Sequence, residues 1–133
     1  MKKFLFIFLV MILKLQALDY EAKGTHYMAQ FYDCPPDKLS NRETLRRAML
    51  AGANASGAQV LKECYHNFEP GDGFTQLILL SESHASIHTY PEHGVCFVDL
   101  FTCGDHCDYA KFEKVLSDYF KSARIQSEIY QRY

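Results

Sequence analysis

From residue 24 onward the spacing of hydrophobic and polar positions changes several times, and each change marks an element. Thr25 to Tyr32 interleave aromatic and polar side chains in a strand-like way, and Cys34-Pro35-Pro36-Asp37 ends the run because proline cannot continue a ladder. Ser40 and Glu43 have the spacing of a capping box, after which Leu45, Ala48, Met49 and Ala55 fall on one helical face and Gly57 closes it. Val60 to Phe68 predicts a second strand and Glu69-Pro70-Gly71-Asp72-Gly73 a turn. Thr75 to Leu80 predicts a third strand, whose continuous apolar run suggests burial, and Ser81 to Thr89 extend or follow it. After a turn at Tyr90-Pro91-Glu92-His93-Gly94 comes a strand from Val95 to Phe101, with Cys96, Val98 and Leu100 on one side and Val95, Phe97 and Asp99 on the other. Asp108 caps a second helix in which Phe112, Val115, Leu116, Tyr119 and Phe120 recur at i, i+3, i+4 spacing, and Arg124 to Tyr130 predicts a last strand.

The order β-α-β-β-β-α-β predicts an α+β two-layer sandwich: a mostly antiparallel sheet of four to five strands with two helices on one face. Short links between strands make hairpins, and each helix must bury its apolar stripe. The opposite sheet face must then be polar or covered, and a homodimer is one way to cover it.

A chain of 133 residues supports one domain, and 48% hydrophobic with 14% aromatic residues supplies a core without a disulfide framework. Residues 1–23 stand apart as an amino-terminal hydrophobic extension or signal-like segment, leaving 24–133 as the domain. Lys2 and Lys3 precede the apolar run Phe4 to Leu13, and Leu15-Gln16-Ala17 offers small-residue cleavage context. The run is too short to predict a membrane span, which takes about 20 apolar residues. An upstream start, or an extension packing on the domain, is the competing reading. Net charge is −2, and without residues 1–18, which hold Lys2, Lys3 and Lys14 and no acid, 11 basic groups face 16 acidic ones, or −5. Nucleic acid needs a basic face and is excluded as a partner on that ground. Five cysteines cannot all pair within one chain, which fits a reducing compartment and predicts Cys34, Cys64 and Cys96 as small buried hydrophobes.

The chemistry gathers in Leu80-Ser81-Glu82-Ser83-His84-Ala85-Ser86-Ile87-His88-Thr89-Tyr90-Pro91-Glu92, followed by Phe101-Thr102-Cys103-Gly104-Asp105. A hydroxyl behind a carboxylate, two imidazoles and a thiol within this distance exceed what a small core requires. Imidazole exchanges protons near neutral pH, and a thiol held protonated can deliver one to a carbanion. On residue type alone Phe68 reads as core and Glu92 as a solvated turn residue. Ser83 and His88 stand five residues apart, so a straight strand points them to opposite faces and a bend or bulge is needed to bring them together.

The Glu-Ser-His and Thr-Cys-Gly elements, in that order, resemble those of the prokaryotic S-adenosylmethionine decarboxylase proenzymes, and Gly24 to Cys34 looks like that family's opening strand. The resemblance implies a proenzyme that cuts itself between Glu82 and Ser83 and turns Ser83 into a pyruvoyl group, its self-made cofactor, which forms a Schiff base with a substrate amine. It assigns His88 to proton transfer in processing and Cys103 to protonation of the product carbon. It also makes Phe68 and Glu92 substrate-binding residues and Thr75 a processing helper. The implied reaction is decarboxylation of S-adenosylmethionine for spermidine synthesis in the cytoplasm, by a homodimer of cleaved pairs, 1–82 with 83–133, with sites near the shared interface. Arginine or ornithine is the alternative substrate on the same scaffold. Tyr90 stands where a Trp is common in this family.

Two rival readings remain at this level. His84-x3-His88 and Cys103-x2-His106-Cys107 have metal-ligand spacings, but residues four apart in a strand lie too far along it for easy chelation, so no metal is expected. An exported, non-catalytic binding domain draws support from the amino-terminal segment alone. A Ser hydrolase is disfavoured because no Gly-x-Ser-x-Gly elbow surrounds Ser83.

Overall fold

The computed structural model describes residues 22–103 and 105–133. Six strands form one antiparallel sheet: β1 (Gly24–Tyr32), β2 (Val60–Asn67), β3 (Phe74–Leu80), β4 (Ser83–Tyr90), β5 (Val95–Thr102) and β6 (Arg124–Arg132), in the spatial order β2-β3-β4-β5-β1-β6. Three helices, α1 (Pro36–Ser40), α2 (Arg42–Ala55) and α3 (Tyr109–Phe120), cover one face. The two-layer α+β sandwich is thus as the sequence predicts, with one strand and one short helix more. Ser83–Tyr90 is a strand in its own right because Ser81-Glu82 turns the chain back on itself, and α1 starts on Pro36, whose missing N–H costs nothing at a helix start. The predicted amino-terminal segment falls almost wholly on residues 1–21, outside the described residues.

The core lies between helices and sheet. Leu45, Ala48, Met49, Gly52 and Ala53 of α2 meet Phe112, Leu116 and Phe120 of α3, over Tyr27, Phe31, Ile78, Ile87, Val98 and Leu100 from the sheet. Gly52 lets the helices approach: a Cβ there would stand 3.1 Å from the Phe112 ring. The capping assignment moves by one residue. Asn41 caps α2 by accepting from the Thr44 N–H at 3.3 Å, whereas the Ser40 hydroxyl donates back to the Pro36 carbonyl, and Ala55 is exposed.

Among the described residues the other sheet face carries no helix. β3 is therefore not buried throughout: Phe74, Gln76, Ile78 and Leu80 point inward, and Leu77 and Leu79 are each 50% exposed. Phe97 of β5 and Met28 of β1 are exposed on the same open face. Cys64 is exposed too, contrary to the sequence expectation, because β2 is an edge strand; Cys34, Cys96 and also Cys107 are buried.

Candidate active site

The predicted site residues fall into two groups at opposite ends of β4. The first is built on the β3–β4 turn. Ser83 opens β4 opposite Thr102, the last residue of β5, so Cys103 follows directly beside the turn and its N–H donates to the Glu82 carbonyl at 3.1 Å. The Ser83 hydroxyl lies 3.0 Å from His84 Nδ1. This imidazole is the one beside the serine, and the adjacency in Glu-Ser-His was the signal for it. Cys103 is exposed and lines a cavity of about 350 Å³ with Lys23, Gly24, Phe101 and Arg132.

Glu82 is the most constrained residue of this group, with its side chain only 12% exposed. Oε2 accepts from the Gln59 N–H at 3.0 Å, and Oε1 lies 3.2 Å from His106 Nε2. Burial alone would raise its carboxyl pKa, but hydrogen bonds from the Gln59 N–H, the Ser81 hydroxyl, its own N–H and His106 outweigh burial and hold it below the ordinary carboxylate range. The carboxylate stays ionised at neutral pH.

The second group surrounds the far end of β4. Thr75 on β3 pairs with His88 on β4, and the Thr75 hydroxyl is hydrogen-bonded to His88 Nδ1. The His88 ring meets Phe68 edge-on at 5.5 Å and Tyr90 at 4.6 Å between centroids, and His66 meets Phe68 at 4.9 Å. Phe68, Pro70, Gly73, His88, Tyr90 and Glu92 line a cleft of about 280 Å³. Its frame is rigid: the Phe68 N–H donates to the Gly73 carbonyl at 2.8 Å, and Thr89 ties β4 to α1 through the Leu39 carbonyl at 2.9 Å. Phe68 is 44% exposed, so it is not a core residue. Tyr90 lines this cleft, and His66 backs its Phe68 ring, although no motif pointed to either as cleft-forming.

The structure does not bring the two groups together within one chain. β4 keeps its register with β5 from Ser83 to Tyr90 and with β3 from His84 to His88, so the bend or bulge the sequence required is absent. Five residues at about 3.4 Å each put roughly 17 Å between Ser83 and His88 along the strand. His84 of the first group and His88 of the second face the helix-free side, whereas Ser83 keeps the register of buried Ala85 and Ile87, opposite buried Thr102. A shallow groove of about 450 Å³ on the open side is lined by Lys62, Cys64, Leu77, Leu79 and His84. Among the described residues no set of three or more potential ligands converges on a metal position.

Comparison with known proteins matches residues 25–133 to the S-adenosylmethionine decarboxylase family model. The S-adenosylmethionine decarboxylase proenzyme of Fervidobacterium nodosum is 43% identical over 101 residues, covering 76% of this chain and 73% of its own length. That of Parasynechococcus marenigrum is 41% identical over 109 residues, covering 82% and 84%. The crystal structure of the adenosylmethionine decarboxylase from Aquifex aeolicus superposes with a TM-score of 0.76 at 30% identity, covering 85% of this chain and 92% of the other. A Trypanosoma brucei AdoMetDC-delta26 monomer shares the fold alone, with a TM-score of 0.57 at 16% identity over 79% of this chain and 45% of its own.

Proposed function

The chain belongs to the S-adenosylmethionine decarboxylase family, and from that premise we propose that Ser83 is the residue it converts and that two copies complete each site. The protein is a self-processing, pyruvoyl-dependent decarboxylase of S-adenosylmethionine that serves polyamine biosynthesis. The non-catalytic reading and the basic amino acid alternative give way to that assignment.

The residues around Ser83 fit the formation of a ketone there. The hydroxyl has His84 at 3.0 Å as a proton acceptor, and the carbonyl it must attack is already polarised by the Cys103 N–H. In the first step a bond forms between Ser83 Oγ and the Glu82 carbonyl carbon, the Glu82–Ser83 amide C–N bond breaks, and the hydroxyl proton ends on the freed amine. A base then takes the Ser83 α-proton, the Cβ–Oγ bond breaks, and Glu82 leaves as a carboxylate. Water hydrolyses the resulting enamine, through its imine form, to the ketone with loss of ammonia. The product is 1–82 held against 83–133. Once made, the pyruvoyl group supplies an electron sink for decarboxylation.

His88, with its Nδ1 fixed by Thr75, is oriented to move a proton through Nε2. Phe68 and Tyr90 offer aromatic faces for the adenine, Glu92 offers a carboxylate for the ribose hydroxyls or the substrate cation, and Cys103 stands where a proton can be delivered to the product carbon. The observation that carries the dimer is the distance of roughly 17 Å between Ser83 and His88 in an unbulged strand. A twofold arrangement of helix-free faces pairs the Ser83 end of one protomer with the His88 end of its partner, twice, and covers Leu77, Leu79 and Phe97. The free state of all five cysteines supports a reducing, cytoplasmic setting. Release of labelled carbon dioxide from carboxyl-labelled S-adenosylmethionine tests the reading: it should be abolished by borohydride and by Ser83→Ala. Activity that survives both overturns it.

A further inference from the structure

The β3–β4 turn is held from both sides by contacts that the decarboxylation itself does not use. On one side Gln59, in the link between α2 and β2, uses its main-chain carbonyl and N–H to hold the turn. Its carbonyl accepts from the Ser81 N–H at 2.9 Å and its N–H donates to Glu82 Oε2 at 3.0 Å. On the other side the link between β5 and α3 supplies the Cys103 N–H to the Glu82 carbonyl and His106 Nε2 to Glu82 Oε1. That link is itself anchored: Cys107 is buried, and the Asp108 N–H donates to the Ser56 carbonyl at 2.9 Å. The acyl shift demands that this one carbonyl neither rotate about the Glu82 backbone nor lose its donor while its oxygen gains negative charge. A two-residue turn alone does not impose that; a side chain gripped at both carboxylate oxygens does.

We propose that Glu82 is a positioning residue for chain cleavage, whose carboxylate, held by the Gln59 N–H and by His106, fixes its own carbonyl on the Cys103 N–H as the donor to the acyl-shift oxyanion. The inference rests on the assignment of Ser83 as the processed residue and adds to it Gln59, which no motif singled out, and His106, which the sequence offered only in a metal-ligand spacing. Gln59 lies in 1–82 whereas Cys103 and His106 lie in 83–133. The same clamp therefore joins the two products once the bond between them has broken.

The test follows cleavage of freshly synthesised full-length chains by intact mass, with and without hydroxylamine, which cuts an ester but spares an amide. Glu82→Ala should slow cleavage about 100-fold, the scale of a lost oxyanion contact. Glu82→Gln, whose amide oxygen still accepts from Gln59, should lose less. His106→Ala, at a side chain 56% exposed that folding does not depend on, should slow cleavage about 5-fold, the worth of one hydrogen bond of about 1 kcal/mol, and His106→Gln should recover most of it. Hydroxylamine should release no additional fragments from any of them, because the defect precedes the ester. Wild-type rates in both alanine variants, or a hydroxylamine-sensitive ester accumulating in Glu82→Ala, overturn the clamp and leave the Ser83 assignment standing. A wild-type chain that never cleaves overturns both.

Discussion

Of two variants that are each unable to cut themselves, one should be cut when both are produced in the same cell. Ser83→Ala removes the nucleophile and leaves the Thr75–His88–Phe68 end intact; His88→Ala does the reverse. With roughly 17 Å between the two ends of β4 and no bulge to shorten it, neither chain can supply the missing group to its own turn. A mixed dimer contains one site made of two intact ends and one made of two mutated ends. Random assortment makes about half of the dimers mixed, so about half of the His88→Ala chains, or about a quarter of all chains, should cleave. The assay is co-expression from two tags that differ in mass, followed by intact mass spectrometry, with each variant expressed alone as control. Fragments should come from the His88→Ala tag alone. No cleavage in the mixture, while both homodimers remain folded, would show that one chain carries its complete site and refute the composite arrangement. Normal cleavage of His88→Ala by itself would remove His88 from processing.

Four further outcomes follow from the same structure. Cys103→Ala should still be cut but decarboxylate about 100-fold more slowly per pyruvoyl group, the scale of a lost general acid, measured by single-turnover carbon dioxide release. Phe68→Ala should raise KM about 5- to 150-fold with kcat little changed, the range that a stacking contribution of about 1–3 kcal/mol allows in steady-state kinetics. Phe112→Ala empties the fully buried contact of α3 with Gly52 and should cost about 3–5 kcal/mol, read as a fall in Tm of more than about 10 °C by calorimetry. The depressed Glu82 carboxyl stabilises the fold above the ordinary carboxyl pKa of about 4.3, and that contribution is lost as pH falls through the lower folded value. Tm measured against pH should thus fall less steeply below about pH 4 in Glu82→Gln than in the wild type.

Much of this was legible in the chain because the deciding forces are local. The period of two in Val95 to Phe101 fixed which side of β5 is buried, and Asp108 does cap α3, accepting from the Lys111 N–H at 3.1 Å. Thr75 and His88, thirteen residues apart, became partners as soon as β3 and β4 formed a hairpin. What the chain hid depends on neighbours distant in sequence. The apolar run of β3 reads as burial on both faces, yet Leu77 and Leu79 stay exposed because none of the described helices lies on their side of the sheet. Cys64 is exposed because β2 is at the sheet edge, a fact of strand order that composition does not carry. Gln59 and His106 converge on Glu82 only through the packing of two inter-element links. The bend expected between Ser83 and His88 came from assuming that one chain builds the site. The even register of β4 supplies no such bend, and the composite site proposed above does without one.

The most direct test of the account is the intact mass of the purified wild-type protein before and after borohydride. Two species divided between Glu82 and Ser83, the smaller lacking a free amino terminus and gaining two hydrogen atoms on reduction, are predicted. A single full-length polypeptide, unchanged in mass by borohydride, would contradict it.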